Sequence, residues 1–387
     1  MSKNLFFLKI IHVFNDGYQA SFLLLLPFIA KDLNISLAQI GNLGSLFYLF
    51  ETIFALPAGY LGEKINGKKI LMVAMLLYAL SFFALTFAPS FAILIVFFTL
   101  AGIGFALFHP IAFALVAKLT NKNNRGREMG DFMAIGELGR IGLSTALTFL
   151  AVKIGWRSTS LSYSFAIFVL FLLLLIFFNK KNKQVEITEE SIGKVKIIHL
   201  LQNGKFMLAC LTAFFDVAAS SSLFLFLPFL LIKKGIDPLV LGAFTAAYFA
   251  GNFLGKTVLG RIVDKLGSAK TFIIAEILMA VFIVLLTGTS STILIIIFSI
   301  ILGALTKGTV PARITMAMES VEHHGRYEKA AALSGLIASL GNVIAPSLYG
   351  KTAGAYGIVY AFYLSAIFAI LAIFPAVAFR FVRTKHI

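Results

Sequence analysis

His12, Asn15, Asp16 and Gln19 stand inside the apolar run FLKIIHVFNDGYQASFLLLLPF, residues 7–28. On a helix, His12, Asp16 and Gln19 follow an i, i+4, i+7 spacing and share one face, with Asn15 at its flank. An ionised group at the middle of a bilayer costs several kcal/mol, so this stripe turns away from lipid. A carboxyl group withdrawn from water can gain and lose a proton as its surroundings change. Asp16 is therefore a candidate proton carrier, as are Glu51 and Glu137, each inside its own apolar run. The second half of the chain adds Asp216, Asn252 and Asn342. Arg140, Lys256 and Lys307 bring cations into the same kind of setting. They suit an anionic substrate, and a guanidinium in particular matches paired oxygens. Structural roles are open to the same groups. Asn and His bond across packed helices. Glu137 and Arg140, three residues apart, can neutralise one another. Lys256 can snorkel to the surface, and Arg313 and Glu319, close to a span end, read as gate or anchor residues.

The elements that position these groups follow from composition. Hydrophobic residues make up 59% of the 387-residue chain and charged residues 13%, about half the share usual in a soluble protein. Mean hydropathy is +0.95. Lipid is the solvent that fits. The formal charge of +16 is explained by headgroups rather than nucleic acid, because the bases sit between apolar runs. The single cysteine, Cys210, excludes an internal disulfide. No small-residue cleavage site follows Lys3 and Lys9, so the first run reads as a retained span. The acids and histidines show no H-x-x-x-H metal spacing and no G-x-S-x-G nucleophile turn, so no metal, cofactor or enzymatic reaction is expected.

A spanning helix needs about 20 mostly apolar residues. Twelve runs qualify: 5–30, 37–61, 70–88, 91–117, 129–152, 157–178, 206–232, 238–260, 270–288, 291–318, 329–350 and 357–379. They are too long and too continuously apolar for barrel strands. Lysine and arginine crowd one set of connections, among them Lys64, Lys68, Lys69, Lys118, Arg125, Lys180, Lys265 and Arg380. The opposite set holds fewer, including Lys31, Lys153, Arg157 and Lys351. The basic set is predicted to be cytoplasmic, with both termini inside, in the inner membrane.

The chain also repeats itself. Displaced by 201, LPF at 26–28 meets LPF at 227–229, Gly102 meets Gly303, Pro110 meets Pro311, and Asn15-Asp16 falls beside Asp216. The predicted fold is an all-α membrane protein of twelve transmembrane helices in two pseudo-symmetric six-helix bundles. The bundles are 1–178 and 206–387, joined by a polar cytoplasmic linker at 179–205. Parallel repeats of this kind rock about a midplane site.

Two loops then carry a family resemblance. GYLGEKINGKK (59–69) and GRIVDKLGSAK (260–270) resemble the signature loop of the major facilitator superfamily, with Glu63 for the usual aspartate and Asn66 in a glycine slot. The resemblance implies that Gly59, Glu63, Lys64, Gly260, Asp264 and Lys265 latch the halves on the cytoplasmic side. HVFNDGYQ (12–19) and GIGFALFHP (102–110) resemble the fosmidomycin-resistance efflux branch, which implies export. His109-Pro110 is expected to break the fourth span, and Pro311 the tenth, as a gating hinge or a fixed bend.

The expected function is a monomeric secondary transporter of a small organic solute, anionic or amphiphilic and drug-like, exported by alternating access and coupled to protons. An uptake symporter for an organic anion or sugar derivative shares the same features. A non-transporting receptor would leave the paired latch loops and midplane charges unused.

Overall fold

The structure, a computed structural model, describes residues 3–64, 67–120, 125–178, 200–321 and 327–382. All regular elements among them are helical. In the first part of the chain these are α1 (Lys3–Leu24), α2 (Leu26–Leu33), α3 (Leu37–Lys64), α4 (Gly67–Thr86), α5 (Phe91–Leu119) and α6 (Arg125–Phe178). In the second part a short 3₁₀ turn, Pro238–Val240, comes just ahead of the helix that starts at Leu241. There the helices are α7 (Gly204–Lys233), α8 (Leu241–Leu266), α9 (Ser268–Gly288), α10 (Thr292–Glu319), α11 (Tyr327–Tyr356) and α12 (Ile358–Phe381).

The elements differ from the sequence expectation at four positions. The run 5–30 is divided at Leu25, just ahead of Pro27, whose ring and missing N–H disfavour a continuous helix. The runs 129–152 and 157–178 lie in one long element, interrupted where Gly155 adopts φ +80° and ψ 156°. The expected breaks at Pro110 and Pro311 are not seen: α5 and α10 run through both prolines. A proline inside a helix removes one hydrogen bond, and neighbouring helices can hold the rest. Of the linker, 179–199 lies outside the described residues, and α7 begins at Gly204 behind an Asn203 cap.

Nine helical stretches among the described residues are long and apolar enough to cross a membrane, including the 48-residue Glu128–Leu175. Phe87, Phe165, Ile293 and Phe374 are exposed. Acyl chains solvate such surfaces and water does not.

The chain divides into two compact units, Met1–Glu189 with Asp237–Ala246 and Glu190–Ile236 with Ala247–Ile387. In the first, α1 packs on α6, α3 on α5, and α4 on both α5 and α6. In the second, α7 packs on α11 and α12, and α9 on α10 and α12. The sequence repeat reappears as equivalent contacts inside each unit. A Cβ on Gly102 would stand 2.5 Å from the Phe47 carbonyl oxygen, and one on Gly303 1.9 Å from that of Tyr248. Both members of the pair are displaced by 201.

Candidate functional site

In the first unit, close helix approach builds the site. A Cβ on Gly139 of α6 would lie 1.8 Å from the Val13 carbonyl oxygen of α1. One on Gly136 would lie 2.6 Å from Asp16 Oδ2 and 2.8 Å from the His12 ring. Only hydrogen at these positions lets the two backbones meet and sets the α1 stripe against α6. Gly142, one turn further along α6, has nothing within 4 Å of an added Cβ.

Asp16 is the hub of the arrangement. Arg140 donates to its Oδ2 at 2.9 Å. Asn15 Nδ2 donates to its Oδ1 at 3.0 Å. The Nε2 atoms of His12 and His109 each lie 3.3 Å from the same oxygen. His12 Nδ1 stands 2.7 Å from the Phe132 carbonyl, which can only accept, so Nδ1 carries a proton. His12 Nε2 then faces Oδ1, and a second proton is needed for an attractive contact there. His12 is also stacked between Phe108 and Phe132, with ring centroids at 5.6 and 4.1 Å. His12, Asn15, Asp16, Gln19 and Glu137 are all buried. Glu137 lies 3.9 Å from Arg140, so the guanidinium is engaged first by Asp16 and second by its helix neighbour. Tyr48 acts electrostatically on Arg140, and Tyr78 on both Glu51 and Asp16, which draws two hydroxyls and a half-buried Glu51 into the neighbourhood.

His12, Asp16 and His109 bring three potential ligand atoms within 4.8 Å of one another. Sequence spacing gave no sign of this, because His109 comes from α5. Arg140 occupies the other oxygen of Asp16, so the donor set suits proton exchange better than a resident cation.

The second unit holds a separate cluster. Asp216 of α7 accepts from Thr309 of α10 at 2.9 Å, and its Oδ2 lies 3.4 Å from Arg313 Nε. Arg313 therefore faces a buried acid and is not an anchor at a span end. Glu319 accepts from the Ser268 hydroxyl, at 2.9 and 3.0 Å to its two oxygens. Asn252 is buried and meets Thr306 at 3.4 Å, and Thr306 meets the Tyr248 hydroxyl at 3.0 Å. This set joins α8 to α10. Lys256, Lys307 and Asn342 are half-buried, and both lysines are engaged by neighbours.

Of the latch residues, Asp264 and Lys265 are exposed on the last turn of α8. Gly260 faces Pro311, 3.8 Å from an added Cβ. Gly59 lies within α3, and the side chains of Glu63 and Lys64 at its end lie outside what the structure describes. Pro110 lies half-buried within α5 beside His109.

Glu276 of α9, 0% exposed, is absent from the sequence candidates. It is a single acid in an otherwise apolar run, and that was the available signal.

The profile described as Major Facilitator Superfamily matches residues 5–233 and 209–386. A probable nitrate transporter, NarT of Staphylococcus epidermidis, is 28% identical over 271 residues, 70% of this chain and 68% of that protein. A nitrite extrusion protein of Bacillus subtilis is 25% identical over 287 residues, 74% of this chain and 69% of that one. Among solved structures, an inward-facing bacterial homologue of the human lysosomal transporter Spinster aligns with TM-score 0.80 at 16% identity, covering 100% of this chain and 98% of its own. The nucleoside transporter NupG aligns with TM-score 0.77 at 12% identity, covering 99% and 100%. At those identities the structures speak for the fold alone. These relatives give no support to the fosmidomycin-resistance branch. The chain belongs to the Major Facilitator Superfamily, and it is a multi-pass membrane transporter, not an enzyme.

Proposed function

We propose that this chain is a proton-coupled secondary carrier for a small anion, working by alternating access. The observation behind the proposal is the buried Asp16 carboxylate, bound to Arg140 at 2.9 Å and flanked by two imidazole nitrogens at 3.3 Å. An anion with paired oxygens competes with Asp16 for the guanidinium fork. A proton delivered to Asp16 neutralises it and releases Arg140 to the substrate. His109, whose side chain is 24% exposed, is the group best placed to pass that proton between water and the buried carboxyl. When the anion leaves, Asp16 gives up its proton and recovers Arg140. Substrate and proton thus share one cation, and the two events become linked.

The named relatives carry nitrate or nitrite, so oxyanions join phosphonates, organic acids and hydrophobic drugs as candidate substrates. Because proton and anion are loaded together on Asp16 and Arg140, an inward proton gradient drives uptake by symport. Export is the second reading, because the relatives' names include both a transporter and an extrusion protein. The proposal includes twelve spans, both termini in the cytoplasm, residence in the cytoplasmic membrane and a monomeric carrier. The test is flux into proteoliposomes under an imposed pH gradient across that substrate panel. Wild-type protein is expected to move at least one anion with a gradient-dependent rate, and Asp16→Asn to lose the dependence. Gradient-independent flux in the wild type overturns the coupling.

A further inference from the structure

The Asp16 cluster carries its own bases. Among the described residues the Asp216 cluster has no imidazole, and that difference leads to a second binding site. Glu276 is fully buried in α9, and among the described residues neither carboxyl oxygen accepts a hydrogen bond. The charged groups acting on it are Asp216 from α7 and Arg313 from α10. α12, packed along α9, has no charged residue before Arg380. Two carboxyls therefore answer to one guanidinium.

With both acids ionised, the cluster would hold one uncompensated negative charge away from water, at a cost of several kcal/mol. Donors decide where the proton must be. Asp216 faces one at each oxygen, Thr309 at 2.9 Å and Arg313 at 3.4 Å, as an ionised carboxylate requires. Glu276 faces none, which suits a carboxylic acid whose O–H points at Asp216. One proton then satisfies both groups, as in other acid pairs that share one.

We propose that Asp216 and Glu276 form a proton-binding carboxyl pair, with Arg313 as the counterion of its ionised member. The proton enters from water, and its departure leaves two carboxylates competing for Arg313. Three helices, α7, α9 and α10, supply the pair and its counterion, so that exchange bears on their packing. A part in coupling rests on the transport reading above; proton binding does not.

The test is infrared difference spectroscopy on the purified full chain in lipid nanodiscs across a pH series. A protonated-carboxyl carbonyl band is expected at neutral pH, shifted by deuterium exchange and by isotope-labelled glutamate but not by labelled aspartate. Glu276→Gln should remove the band and Asp16→Asn should retain it. Gln also mimics the protonated acid, so the variant should match the wild type in thermal stability at acid pH and exceed it as pH rises. The labelling experiment uses wild-type protein and reads out even if the variant fails to fold. Absence of the band, or its persistence in Glu276→Gln, overturns the proposal. If the band behaves as stated but flux ignores the pH gradient, the coupling reading fails and the proton site stands. The reverse result removes this site and leaves coupling with Asp16.

Discussion

The first helix of each unit carries a buried acid, and each acid meets a guanidinium, but from different helices. Asp16 takes Arg140 from α6, whereas Asp216 takes Arg313 from α10. The backbone contacts are equivalent: Gly139 abuts the Val13 carbonyl and Gly341 that of Phe214. One residue past each glycine stand Arg140 and Asn342, so the second unit has an amide where the first has its cation. Both clusters then hold more acid than guanidinium. In the first, two imidazoles can absorb the excess; in the second, a carboxyl must. Duplication preserved the place of the acid and left the means of neutralising it free to diverge.

Removing either cation should have the largest effect. Arg140→Ala or Arg313→Ala takes the guanidinium from a buried carboxylate and is expected to cost about 3–5 kcal/mol. Thermal unfolding in detergent checks this. Asp16→Asn paired with Arg140→Ala should recover much of the loss, as should Asp216→Asn with Arg313→Ala. Failure of one rescue would show that the two clusters are not analogous.

A steric pair comes next. Gly139→Ala inserts a methyl 1.8 Å from the Val13 carbonyl, and Gly142→Ala inserts one into open space. The first is expected to lose about 1–3 kcal/mol together with transport. The second should be neutral or gain up to about 1 kcal/mol from helix propensity. Equal behaviour would mean that α1 and α6 do not meet at Gly139.

The smallest effect lies at the end of α2, beyond the apolar run. Arg157 hydrogen-bonds Asp32 and holds its carboxyl below the usual range, with Trp156 Nε1 donating at 3.2 Å. The clamp contributes above the unfolded carboxylate value of about 3.9 and is lost as pH falls through the lowered folded value. Arg157→Ala should therefore lower the unfolding temperature slightly at neutral pH, with the difference from wild type vanishing in acid. A difference that grows in acid would contradict it.

Much of the first cluster was legible because it is local. His12 and Asp16 share a helix face by spacing alone, and Arg140 sits one turn from Glu137. Spacing suggested that Glu137 would neutralise Arg140, yet Asp16 is nearer, at 2.9 against 3.9 Å. That preference depends on how closely α1 and α6 approach, which only packing decides. His109 looked like part of a proline hinge, because its contact with Asp16 spans two helices. Glu276 escaped for the opposite reason: with no polar neighbour in its own helix, it formed no pattern. Its partners lie 60 residues before it and 37 after it, on other helices.

The most direct test of the central claim is proton movement during transport by reconstituted protein, read by a pH-sensitive dye inside the vesicles. Wild-type carrier should move protons when an anionic substrate is added. Asp16→Asn should move substrate between equal concentrations, if at all, without them. Unchanged proton movement in Asp16→Asn would contradict the account.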